Sequence, residues 1–532
     1  MNPKQKFQKY AWTMVLLLFF LYAAPGAAEP PIGQVPDPAL LETIELLRQK
    51  GIISAEEADA IKQRGTLTAP PELREATVTG GSDLSETDKV QDKKIDALQT
   101  ETRLNQRADE RLEKERIDPL NDFARDAAWA KRISLGGDLR LRYQADYFDE
   151  DNGAFLNPSA PDEVLNTTED RDRFRARVRL ELKAKIVDPR SVNVGKVDMG
   201  IRVATGNQDD PVSTNETLGD YFNKDSVVFD RYWLRYSFKP ELPIWGRVPQ
   251  LSLTGGRMPN PWFSSDLVWD DDLNFEGAAL GLQSDTLAEN GWHIFFAGGA
   301  FPLQEVELST DDKWLYGGQL GFAAVPFYGF GFKLASAYYY FSNISGQVND
   351  PTAPGVNDFS APIFQQKGNT LIDIDPDSTI LTALAAEYHV VDITGEIDLS
   401  YFHPVHVILE GTYIKNVGFD QDEVSQRTGI ENIPVEDEGY RAGIRVGYPT
   451  ITQYGEWNTS FHYRYLEADA MVDAFTDSDF HLGGTNAKGW IAALEFGLYK
   501  NLWLRTRWLT SDEIEGPPLA VDTLQVDLNA RF

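Results

Sequence analysis

The segment FRARVRLELKAKI, residues 174–186, decides how this chain folds. Taken two residues at a time, Phe174, Ala176, Val178, Leu180, Leu182, Ala184 and Ile186 fall on one side. Arg175, Arg177, Arg179, Glu181, Lys183 and Lys185 fall on the other, with Arg173 just before them. Side chains alternate between faces along a strand, so one face is wholly apolar and the other almost wholly cationic. On a helix the same residues scatter charge around the cylinder and leave no stripe to bury. Such a strand suits a barrel wall between lipid and a wet lumen. A tilted strand crosses a bilayer with about 9–11 residues, and this run is longer.

From Arg132 onward the alternation recurs. Ile133, Leu135, Leu139, Leu141 and Tyr143 oppose Arg132, Ser134, Asp138, Arg140 and Arg142. Further strands are expected at 196–205, 227–238, 250–257, 273–283, 291–301, 313–325 and 329–342. The remainder are expected at 379–402, 405–416, 439–448, 455–467, 488–499, 501–511 and 520–532. That makes about sixteen, an even number, as a bacterial barrel with both termini on one side requires. The connections alternate as well. Links such as 187–194, 326–328, 403–404 and 500 are short, whereas 148–170, 206–226, 258–272, 343–378 and 417–438 are long. Short periplasmic turns alternating with long extracellular loops are a barrel signature.

Composition agrees. The 532 residues include no cysteine, and 50 Lys and Arg stand against 82 Asp and Glu, a net charge of -32. This acidity argues against nucleic acid as a partner, because phosphates are repelled. The one long apolar run is near the start: Lys4, Lys6 and Lys9 precede 12–22, followed by small residues to Ala28. That pattern reads as a secretory signal peptide over 1–28. Residues 29–66 read as a short helical hairpin, with Leu40, Leu41, Ile44 and Leu47 at helical spacing, Gly51 ending the first helix and Ser54 capping the second. A Pro- and Gly-containing linker covers 67–84. Residues 85–130 are strongly charged and read as a coiled coil or a solvated helix, and 131–532 as the barrel. At the far end Leu524, Val526, Leu528, Ala530 and Phe532 share one face. A terminal aromatic of this kind resembles the signal read by the barrel-assembly machinery.

Three segments, GGRMPNPWFSSDLVWDDDLNFEG (255–277), ATGNQDDPVSTNETLGD (204–220) and YRYLEADAMVDAFTDSDFHLGGTNAKG (463–489), together with the ending DLNARF, are familiar. Over 132–532 the chain resembles the putative porin family of Gram-negative bacteria. The resemblance implies an all-β outer-membrane barrel that passes small solutes, a helical periplasmic N-terminal region and no established catalytic residues. By analogy with porins of this strand number it also implies a homotrimer.

A porin's chemistry is the field in its lumen. Alternation puts Arg140, Arg142, Arg173, Arg175, Arg177 and Arg179 on the expected inner wall, with Arg202, Arg231 and Arg235 on the next two strands. Guanidinium groups stay charged at any relevant pH, so this is a fixed positive ladder. The third long loop carries Asp266 and the run Asp270, Asp271, Asp272 beside Trp262, Phe263 and Trp269. In general porins that loop folds inward, which by analogy sets these acids against the ladder across a constriction. The bland alternative is a lumen network that ties wall to loop.

The mouth is expected to be acidic. Residues 148–170 hold seven Asp or Glu, 466–487 hold five, and neither segment has a Lys or Arg. These acids could concentrate cations or be bridged to lipopolysaccharide by divalent ions. Ladder and mouth pull selectivity in opposite directions, and the acid excess tips the expectation to cations. Tyr236, Tyr448 and Tyr338–Tyr340 read as an interfacial girdle. The six histidines lack a partner Ser in a recognisable elbow, and the Asp270–Asp272 run lacks EF-hand spacing. Hence no enzyme, cofactor or metal site is expected. A substrate-specific channel or receptor, and a tether through N-terminal helices that contact the cell wall, are the alternatives to a diffusion porin.

Overall fold

The computed structural model describes residues 127–157, 160–188, 195–240, 249–284, 291–375 and 380–532. The signal peptide, the helical hairpin, the linker and nearly all of the charged segment to residue 130 lie outside the described residues. After a 3₁₀ turn at Ala127–Arg132, long strands follow one another. They are β1 (Ile133–Phe148), β2 (Arg171–Val187), β3 (Lys196–Thr205), β4 (Val227–Phe238), β5 (Gln250–Pro259) and β6 (Asn274–Gln283). Next come β7 (Trp292–Gln304), β8 (Lys313–Phe327), β9 (Phe330–Ser342), β10 (His389–Phe402) and β11 (Val405–Asn416). The last are β12 (Glu438–Gly447), β13 (Trp457–Leu466), β14 (Ala487–Tyr499), β15 (Leu502–Glu513) and β16 (Ala520–Arg531).

Each pairs antiparallel with its sequence neighbours, and β1 also pairs with β16, from Asp138↔Arg531 to Phe148↔Val521. The sheet therefore closes into a sixteen-stranded antiparallel barrel among the described residues. Closure removes the free edges that an open sheet would present.

The alternation dictates which side each residue faces. Leu139, Leu141, Phe174, Val178 and Leu180 are exposed on the outside, whereas Arg142 and Arg177 are buried within. Leu234, Leu253, Leu320, Leu334, Ile393, Leu409, Ile444 and Phe461 continue the exposed apolar band around the wall. Polar inside and apolar outside inverts the plan of a water-soluble protein. At one end the turns are tight: Gly329, at φ 76°, joins β8 to β9, and Asn501, at φ 59°, joins β14 to β15. A left-handed residue lets a two-residue link match the twist of the strands it joins.

Two expectations need correction. The strand read over 379–402 is two things: the wall strand β10 and, before it, Thr382–Leu384, which pairs with Leu371–Asp373 in a separate two-stranded sheet. The tyrosine run also splits, because Tyr338 and Tyr340 are exposed but Tyr339 is fully buried. A strand cannot point three successive side chains one way.

The long loops fold into the barrel and give it a core. Leu267, Val268 and Trp269 of the third long loop (260–273), Ile374 and Ala383–Ala386 of the fifth (343–388), and Met471 and Val472 of the seventh (467–486) are buried in one cluster. Phe301, Leu315, Tyr339 and Phe341 join it from the inner wall. Polar bonds fix the loops to each other: Asp469 accepts from Thr370 Oγ1 at 2.6 Å and from Tyr388 Oη at 2.8 Å. Asn369 Nδ2 donates to the Ala468 and Met471 carbonyls at 2.6 and 2.8 Å.

Candidate pore lining and constriction

The third long loop spans between walls that are far apart around the ring. Asp272 forms ion pairs with Arg179 at 2.9 Å and Arg177 at 3.4 Å, both on β2. Asp266 pairs with Arg441 of β12 at 3.1 Å. Between these charged ends the loop is held by apolar contacts. Trp269 packs edge-on against Phe275 and Tyr339, with centroids 5.0 and 5.1 Å apart, and Trp262 meets Tyr339 at 5.5 Å. Gln319 of β8 clasps Phe263 reciprocally: its Oε1 accepts from the Phe263 N–H at 2.8 Å, and its Nε2 donates to the Phe263 carbonyl at 2.9 Å. Lys333 Nζ sits 3.7 Å from the Phe263 ring centroid. The inner wall is cut away to admit Trp262, since a Cβ on Gly317 would lie 2.7 Å from its ring.

The four acids of this loop do different things. Burial alone would raise Asp272, but Arg177 and Arg179 outweigh it and hold the carboxyl below its ordinary value. Asp266 is likewise held down by Arg441 and Arg464 against the effect of burial. Asp270 turns away from the ladder: it accepts from the Ser478 N–H at 2.9 Å and the Asp272 N–H at 2.7 Å. Its carboxyl is pushed well above the ordinary range, by burial and then by Asp477 and Asp272. Asp271 is solvent-exposed and lines a cavity.

The nine arginines read from the first four strands all face inward, most of them paired. Arg142 is bonded to Asp527 at 2.7 Å and Asp479 at 2.9 Å. Arg140 lies 3.7 Å from Asp527, and Arg173 is 2.7 Å from Asp146. Asp138 joins Arg177 and Arg179, each at 2.9 Å. Arg202 is bound to Asp230, and Arg231 donates to Asn274 Oδ1 at 2.6 Å. Arg235 bonds Thr254 Oγ1 at 3.0 Å and stacks over Trp233 at 5.0 Å. Arg175 stands apart: among the described residues it forms no ion pair, and its hydrogen bonds reach Ser213 Oγ and the Asn215 carbonyl at 3.4 Å.

A cavity of about 340 Å³ separates the third loop from the opposite wall. Asp266, Asp271, Glu396, Glu410 and Glu495 line it, together with Arg441, Arg445, Arg505 and His462. Glu410 is its centre, bound by Arg445 at 2.7 Å, His462 at 3.1 Å and Arg441 at 3.4 Å.

The family model described as "Putative porin" matches residues 38–532. The chain belongs to the putative porin family. This porin-family chain has likenesses among solved structures. The outer membrane channel DcaP of Acinetobacter baumannii is 10% identical, with a TM-score of 0.38, over 75% of this chain and 97% of that one. OprB of Pseudomonas putida is 10% identical, with a TM-score of 0.44, over 77% and 96%. OmpF of Salmonella typhi, in a complex with daunomycin, is 11% identical, with a TM-score of 0.38, over 75% and 97%. No curated protein matches the chain in sequence.

Several charged residues of the lumen escape the reading of the first four strands. Arg441, Arg445, Arg464, Arg505 and Arg507 face inward from β12, β13 and β15, and period-two alternation on those strands would have found them. The seventh loop is the larger surprise. Its acids do not form an exposed mouth: Asp469, Asp473 and Asp477 are buried. Asp477 pairs with Arg464 at 3.2 Å, and Asp479 binds Arg142 and Arg507. Of the two acidic segments, the seventh loop supplies counter-charges to the ladder, a role that acid content alone cannot distinguish from an exposed rim.

Proposed function

We propose that this member of the porin family is an outer-membrane porin giving passive diffusion of small hydrophilic solutes or ions. The observation that carries the reading is the third loop, held between Arg177 and Arg179 on one wall and Arg441 on another, beside a charged cavity. A loop fixed in this way narrows a lumen without closing it by motion. Cations and acids placed across the gap orient dipolar solutes and penalise those that must shed water. Arg140, Arg142, Arg173, Arg175, Arg177, Arg179, Arg202, Arg231 and Arg235 line the pore in this reading, and Asp266, Asp270, Asp271 and Asp272 belong to the constriction loop. The exposed apolar band faces outer-membrane lipid, the tight-turn end faces the periplasm, and the opposite, loop-bearing end of the barrel faces outward toward lipopolysaccharide. Homotrimeric assembly, recognition of Phe532 by the assembly machinery, and contact of the N-terminal helices with the cell wall complete the proposal.

The buried core built by the third, fifth and seventh loops favours a second form of this reading, a substrate-specific channel. Single-channel current from refolded protein in a planar bilayer under a salt gradient tests both. Stable ohmic steps are expected, and the sign of the reversal potential reports whether ladder or acids dominate. Block by one solute at low concentration identifies the specific channel. A folded, heat-modifiable barrel that passes no current overturns the porin reading.

A further inference from the structure

A second cavity, of about 390 Å³, lies at the loop end between β2 and the fifth and seventh loops. Its charge balance differs from that of the cavity beneath the third loop. There the cations are matched by neighbouring acids. Here Arg171, Arg173, Arg175 and Lys367 line the space with Asp146, Asp210 and Asp479, but those acids are mostly engaged. Asp146 is taken by Arg173 at 2.7 Å and also accepts from Thr523 Oγ1 at 3.0 Å. Asp479 is held by Arg142 and Arg507. Asp210 accepts from the Val212 N–H at 3.1 Å.

Arg171 and Arg175 are therefore left without a carboxylate within 4.0 Å among the described residues. For Arg175 the deficit is sharper: Nε is buried with no hydrogen-bond partner, and Nη2 reaches only the two contacts at 3.4 Å. Asp479 and Asp210 lie near enough to attract Arg175, but neither forms an ion pair with it. A guanidinium cannot lose its proton here, so its donors stay open to an incoming anion. Lys367 Nζ adds a further cation, 3.7 Å from Glu513, an acid already bonded to His481 at 2.6 Å and Asn486 at 2.8 Å. Apolar side chains, among them Phe148, Leu165, Val212, Phe364, Leu482 and Leu519, line the rest of the wall together with uncharged polar ones such as Gln144, Ser213, Gln366 and Ser478. Such a site offers a planar fork for a carboxylate and a greasy surface for what is attached to it.

We propose that this cavity is a binding subsite for a small organic carboxylate with an apolar body, its headgroup on Arg175 and Arg171 and its body against Phe364 and Leu482. Resting on the porin reading, the subsite loads anionic solutes ahead of the constriction.

The test uses refolded full-length protein in detergent, titrated calorimetrically with benzoate, and with benzamide as the uncharged control for partition into micelles. Saturable one-to-one binding of benzoate and none of benzamide is expected. Arg175→Gln should weaken benzoate at least tenfold, Arg175→Lys should retain part of the affinity, and Phe364→Ala should weaken it several-fold, all in heat-modifiable barrels. No saturable benzoate binding, or equal affinity in wild type and Arg175→Gln, overturns the subsite. Bilayer current on the wild-type preparation separates the two proposals. Ohmic steps without benzoate binding sink only the subsite, whereas binding to a barrel without current leaves the site standing and removes its role in permeation.

Discussion

The third long loop meets two kinds of wall. On β2 and β12 it is held by carboxylates against guanidinium groups, Asp272 with Arg177 and Arg179, and Asp266 with Arg441. On β6 to β9 it is held by rings, with Trp262 and Trp269 set among Phe275, Phe301 and Tyr339. The same period-two rule places both sets inside, yet they are different kinds of fastening. Ring packing is insensitive to pH and depends on shape. Charge pairing depends on every partner being present and ionised, because one removed partner leaves a buried charge uncompensated. The aromatic wall thus sets where the loop sits, and the ionic walls set what the remaining space is like.

Four substitutions break or sharpen that contrast. The largest effect is expected from Trp269→Ala, which empties the centre of the ring cluster and should cost about 4 kcal/mol. Urea unfolding followed by the heat-modifiable gel shift should give the same loss at pH 4 and pH 7. Asp479→Asn comes next. It leaves Arg507 without its carboxylate while Arg142 keeps Asp527, and should cost about 3 kcal/mol at pH 7. Burial would raise Asp479, but Arg142 and Arg507 outweigh it and hold the carboxyl well below its ordinary range. A carboxyl lowered on folding stabilises above its unfolded value, near 4, and loses that contribution as pH falls through the folded value. The Asp479→Asn penalty should therefore shrink in acid, and a penalty independent of pH would put the residue on the shape-dependent side.

Gly317→Ala is a steric probe of the ring wall. Its new methyl meets the Trp262 ring at 2.7 Å, and overpacking of this kind costs about 1–3 kcal/mol. Unchanged stability would mean that Trp262 has room to move. The remaining effect has the opposite sign. Burial, then Asp469, push the Asp473 carboxyl up to about 7. A group raised on folding favours the folded state fully below its unfolded value, near 4, and loses that contribution as pH rises through about 7. Asp473→Asn should therefore match wild type at pH 4 and exceed it in urea midpoint at pH 8. A variant less stable at pH 8 would show that the ionised carboxylate is needed.

The wall was legible because one face of each strand had to be apolar. FRARVRLELKAKI announces its register, and β3, β4 and β11 begin and end where alternation begins and ends. The reading fails where a segment is buried on all sides. Thr382–Leu384 looks like a continuation of β10, since a strand packed inside a lumen carries the same residue types as one in the wall. The seventh loop fails for a related reason. Its five acids look like a solvated rim until Arg142, Arg464 and Arg507, brought from β1, β13 and β15, are known to pair with two of them, Asp477 and Asp479. Arg142 lies 337 residues from Asp479, and although Arg464 is only 13 residues from Asp477 and Arg507 28 from Asp479, no local pattern links either pair. The placement of Asp272 beside the ladder was within reach, because loop and strand each carry their half of the pair in plain view; the turning of Asp270 toward Ser478 was not.

The seam between β1 and β16 joins the two edges of the sheet, and Arg142 binds Asp527 across it at 2.7 Å while Thr523 Oγ1 bonds Asp146 at 3.0 Å. A slip of one residue there would swing Asp527 and Thr523 to the apolar exterior and bring Leu528 and Leu524 opposite guanidinium and carboxylate groups. Errors of closure are thereby converted into buried, unmatched charge, the most heavily penalised kind of mistake available to a polypeptide. The seam that closes the sheet is also the check on its register.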